Sequence, residues 1–99
     1  MVEGKEESKG PIELDLTSFE LEHLIGLCIN LFSVKAWQYM GIRLTPGKEE
    51  AEKDLIKAAS AIDLVTVLVD KVAPYLDDVE VGRLRSMVAD LQLNYARQA

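Results

Sequence analysis

Little in this 99-residue chain is suited to chemistry. It has one cysteine, one histidine, one tryptophan and three prolines. The single cysteine, Cys28, excludes an intramolecular disulfide, and its place in an apolar stretch fits a small buried residue in a reducing compartment. The single histidine, His23, is the one imidazole that Ser33, Ser60, Ser86 and Cys28 could share. Cys28 lies roughly 140° around a helix from His23, so the two do not meet within one chain. The TPGKEE segment has a lysine but not the flanking glycine spacing of a phosphate loop. Basic residues are also scarce: 11 Lys and Arg stand against 17 Asp and Glu, a formal net charge of −6. No window concentrates them, which excludes a surface that tracks nucleic-acid phosphates.

Long hydrophobic runs are missing as well. The stretch HLIGLCINLFSVKAW (residues 23–37) carries no charge between His23 and Lys35, yet this run is far short of the roughly 20 residues a membrane helix needs, and Asn30 interrupts it. The opening MVEGKEESKGPIE lacks the apolar core of a signal peptide. The chain is therefore expected to be cytoplasmic, with no membrane or nucleic-acid partner.

What is present is helical patterning. Residues 1–12 read as a solvated tail and residues 13–99 as one all-α domain. Thr17 and Glu20 have capping-box spacing and predict a first helix over about 18–40, ended by a left-handed Gly41. A turn over residues 41–47 leads to a second helix over about 48–72, with Glu49, Glu50, Glu52 and Asp54 at the positive end of its dipole and Pro74 closing it. Asp77 and Glu80 repeat the capping-box spacing and predict a third helix over about 78–97. Ala51, Leu55, Ala58, Ile62, Val65, Val69 and Val72 recur at steps of four and three, as do Val81, Leu84, Val88, Leu91 and Tyr95. Such stripes are the seams of an antiparallel, up-down-up three-helix bundle.

The first helix is different. Leu21, Leu24, Ile25, Leu27, Cys28, Ile29, Leu31, Phe32 and Val34 cover roughly 220° of its circumference, where a core-facing stripe needs only somewhat more than 100°. Two neighbours cannot cover that arc, so the surplus points to an interface, most simply with a second copy of the chain as a homodimer or higher oligomer, or with another protein. The narrow remaining arc (Phe19, Glu22, His23, Gly26, Asn30, Ser33 and Trp37) is mostly uncharged. An antiparallel twin would set Gly26 against Asn30, His23 against Ser33 and Phe19 against Trp37. Tyr39 and Met40 end the helix and suit either an interface or a core.

Two polar features remain. Glu20 and His23 have the Glu-x-x-His spacing of di-iron bundles, but the other helices lack the matching glutamates; no cofactor is expected, and a metal-binding helical bundle stands as the weakest of the alternatives. Asp63, mid-helix between Ile62 and Leu64, is either buried and paired, with Arg83 and Arg85 as candidates, or exposed beside the seam. No reaction can be read from these residues. A non-enzymatic module that self-associates or binds a partner helix is the leading expectation. The alternative is a ligand-binding protein or enzyme with a pocket at a dimer interface, lined by His23, Asn30, Trp37 or Asp63.

The segments DLTSFELEHLIGL (residues 15–27), AWQYMGI before the Pro-Gly turn, KDLIKAASAIDLVTVLVDK (residues 53–71) and the closing ADLQLNYARQ together resemble a small uncharacterised bacterial family, domain of unknown function 1844, over residues 13–97. The resemblance implies a compact all-helical cytoplasmic module with no assigned reaction, and hence no catalytic residues to carry over. The chain departs from the pattern after Lys71, where VAPYLDD (residues 72–78) stands in place of a polar Thr-Lys-Gly-Asn-like turn.

Overall fold

A computed structural model describes residues 15–99. The solvated tail expected over residues 1–12 lies outside the described residues. The order of elements is a 3-10 turn (Leu16–Ser18), α1 (Leu21–Tyr39), α2 (Leu55–Val72), a second 3-10 turn (Ala73–Tyr75) and α3 (Asp78–Gln98). Among the described residues there is no strand, only an isolated antiparallel bridge between Met40 and Lys53.

Two helix starts fall later in the chain than the spacing predicts, for local reasons. Thr17 does not cap α1. Asp15 stands ahead of it and accepts hydrogen bonds from both the Thr17 backbone N–H and its hydroxyl, while the Ser18 hydroxyl donates to the Asp15 carbonyl. This local pairing winds residues 16–18 into the 3-10 turn instead. Helix α1 begins at Leu21 with Glu20 at its N-cap and no side-chain cap bond. Helix α2 begins at Leu55 rather than near residue 48. The Asp54 backbone N–H donates to the Tyr39 carbonyl at 2.8 Å, and the Asp54 carboxylate accepts from the Lys57 N–H at 3.1 Å. These two bonds fix the N-cap at Asp54. Glu49, Glu50 and Glu52 therefore lie in the connection and not on the helix dipole; Glu52 pairs instead with Lys48 at 3.4 Å.

Other punctuation follows the sequence. Gly41 has φ +80°, the left-handed conformation that ends α1 at no steric cost. At the start of α3 the capping box is complete: the Glu80 N–H donates to the Asp77 carboxylate at 2.8 Å, and the Asp77 N–H donates to the Glu80 carboxylate at 3.3 Å.

Helix α2 is central. Its Ala58, Ala61, Ile62, Val65, Val69 and Val72 are buried against Ile29, Ala36 and Met40 on one side and Val88 and Leu91 on the other. Ala51, expected on the same seam, is exposed in the connection. Ala36 and Ala58 have no exposed surface, which is how thin side chains allow two helix backbones to approach. The α2–α3 pair is antiparallel: Arg85 meets Asp70 at 2.6 Å near one end, while Ala59, Ile62 and Asp63 face Gln92 and Tyr95 near the other. Helix α1 packs extensively on α2, α3 packs on α2 less, and α1 and α3 barely touch. The molecule is thus an open three-helix arrangement built on α2, and this openness leaves the side of α1 that carries Leu27 and Leu31 exposed. Among the described residues, no helix is long and apolar enough to cross a membrane.

Candidate interaction surface

At 100° per residue, Ile29, Ser33, Ala36 and Met40 fall on one side of α1. All four are buried, so this side faces the core. Roughly opposite lie Glu20, Leu24, Leu27, Leu31 and Val34, spaced by four and three. Here Leu31 is 53% exposed and Leu27 36% exposed; Leu21, on the flank, is 58% exposed. Ser33, by contrast, is only 5% exposed. The helix has therefore placed a serine inside and leucines outside. Ser33 is tolerated there because its hydroxyl donates to the Ile29 carbonyl one turn back at 2.7 Å, with the Met87 sulfur 3.5 Å away. Leucine has no comparable reason to face water.

The narrow arc singled out by the sequence is divided by the structure. Phe19, His23, Gly26 and Asn30 are exposed. A Cβ added at Gly26 would meet nothing within 4 Å among the described residues, so this glycine serves no close approach to them. Ser33 and Met40 are core residues, and Trp37 is half-buried against the core. An antiparallel register that needs Ser33 opposite His23 of a twin is therefore unavailable, since Ser33 is already enclosed by its own chain. Tyr39 is half-buried, with the ammonium groups of Lys35 and Lys57 at 4.8 Å and 5.5 Å from its ring centroid. This is a double cation–π contact at the linked ends of α1 and α2.

Asp63 is exposed, which corrects the buried alternative; Arg85, one of its two candidate partners, is paired with Asp70 instead. Asp63 lies on the rim of an open cleft of about 160 Å³ between α2 and α3, with Ala59, Ile62, Gln92 and Tyr95. His23, Asn30 and Trp37 do not line it. Ligand pockets usually enclose about 300–1,000 Å³, and this cleft is smaller and open. Among the described residues, no group of three or more His, Cys, Asp or Glu side chains gathers as a metal site would require.

The strongest feature is thus the outward row on α1. Its four-three spacing was present in the sequence. Within a 220° apolar arc, however, that spacing could not show which half faces α2; the burial of Ser33 and Ala36 decides it.

Compared with known proteins, the chain matches the model of the family described as Domain of unknown function (DUF1844) over residues 22–97. It belongs to that family. The matched span covers all three helices except the first residue of α1 and the last of α3. No curated protein and no solved structure matches the chain.

Proposed function

We propose that this member of the family is a non-enzymatic helical module that works by self-association through the outward face of α1. One observation carries the reading: Leu27 and Leu31 stand exposed on a regular four-three row while Ser33, on the opposite side of the same helix, is buried. Burying apolar area contributes about 25 cal/mol per Å², so an exposed leucine row gains from any surface that covers it. A second copy is the simplest cover, because a two-fold interface uses the same patch twice. The open packing supports this, since α3 leaves the outer side of α1 uncovered.

The test pairs a mass with a fold measurement. Wild-type protein should sediment as a dimer or higher oligomer at micromolar concentration, and Leu31→Asp should sediment as a helical monomer. A Leu31→Asp variant that keeps the wild-type mass would show that the row is not the contact. Leu31 is exposed in the protomer, so the substitution buries no charge and leaves the α2-centred core intact.

A further inference from the structure

The charges that bracket the leucine row select one mode of self-association. Glu20 closes the row at the start of α1, and Lys35 stands at its other end, half-buried beside the Tyr39 ring. Between them the row is uncharged. Among the described residues, neither Glu20 nor Lys35 takes part in an ion pair. The row is also symmetric in number: Glu20 and Lys35 are equally far from a point between Leu27 and Cys28, and so are Leu24 and Leu31.

We infer that two copies dock through α1 in antiparallel fashion, with the two-fold axis passing between Leu27 and Cys28. This deepens the self-association reading and rests on it. In that register Leu24 packs on the partner's Leu31, Leu27 packs on the partner's Cys28, and Glu20 meets the partner's Lys35 at both ends. A parallel pairing in register would set Glu20 on the partner's Glu20 and Lys35 on the partner's Lys35, a like-charge contact at each end. Antiparallel docking turns both ends into opposite-charge contacts, which is how flanking charges set the orientation of paired helices. His23 and Asn30 lie on the flank of this contact and stay outside it.

Charge exchange tests the register. At low ionic strength, E20K and K35E should each self-associate roughly tenfold or more weakly than wild type, because two opposite-charge contacts become two like-charge ones. Mixing the two variants should restore the affinity as a heterodimer. The E20K chain carries Lys at both ends of the row and the K35E chain Glu at both, so both contacts become complementary. Native mass spectrometry of the mixture would then show the heterodimer in large excess, which also demonstrates that both variants fold. If both variants dimerise as wild type does, the antiparallel register is wrong, whether the mixture is statistical or, as parallel pairing would also give, rich in heterodimer. Loss of the dimer in Leu31→Asp would in that case still support the self-association reading. A monomeric wild type would overturn both.

Discussion

Helices α1 and α2 are nearly equal in length, at 19 and 18 residues, but they use their apolar side chains differently. Helix α2 buries six residues, all apolar. Helix α1 buries four, and two of them, Ser33 and Gln38, are polar. The reason is position. Helix α2 lies between two neighbours and buries its Ala and Val seam on them; the apolar residues it exposes, Ile56, Leu64 and Val67, are interspersed with Ser60, Asp63, Asp70 and Lys71. Helix α1 has one substantial neighbour, so its larger leucines are left on the far side. This exposed apolar side at the edge of an open arrangement is what the self-association proposal rests on.

Equal truncations would sharpen this comparison most. Leu91, with no exposed surface, and Leu31, 53% exposed, carry the same side chain. Leu91→Ala should cost about 2–5 kcal/mol of protomer stability in urea unfolding, as for other buried leucines. Leu31→Ala should change protomer stability by about 0.5 kcal/mol or less at concentrations where the protein is monomeric, while weakening self-association. Equal losses from the two truncations under those conditions would mean that Leu31 is already buried within the protomer.

The next effect is at the helix starts. Asp77→Ala removes the acceptor of a complete capping box and should cost about 1 kcal/mol, read as a lower melting temperature. Thr17→Ala, in an exposed 3-10 turn outside α1, should cost clearly less. If the two substitutions are equally damaging, Thr17 caps α1 after all.

These contrasts also show what the sequence alone could tell. The seams of α2 and α3, the left-handed Gly41 and the Asp77–Glu80 box were all legible, because each depends on residues a few positions apart. The Thr17–Glu20 box has the same spacing and fails because Asp15 competes for the Thr17 N–H. The start of α2 was missed because Asp54 is tied to Tyr39 across the turn, a bond between residues far apart in sequence. The apolar excess of α1 was also legible, but its orientation was not. Hydrophobicity alone gives no reason to bury Ser33 and leave Leu31 in water; that choice follows from which side α2 occupies.

Smaller effects are expected at two polar positions. The buried Gln38 side-chain oxygen has no hydrogen-bond partner among the described residues, so an apolar residue of similar shape removes an unsatisfied acceptor. Gln38→Met should leave the melting temperature unchanged or raise it slightly, and a clear fall would reveal a partner for that oxygen. Asp63→Ala, at an exposed site, should shift stability by about 0.5 kcal/mol or less. A larger loss by denaturant titration would mean that the carboxylate is engaged within the fold.

Sedimentation equilibrium of the wild-type chain, followed over a hundredfold range of concentration, tests the central claim most directly. The outward leucine row of α1 predicts an associating species whose mass reaches at least twice that of the protomer. A mass equal to one protomer at every concentration would contradict it.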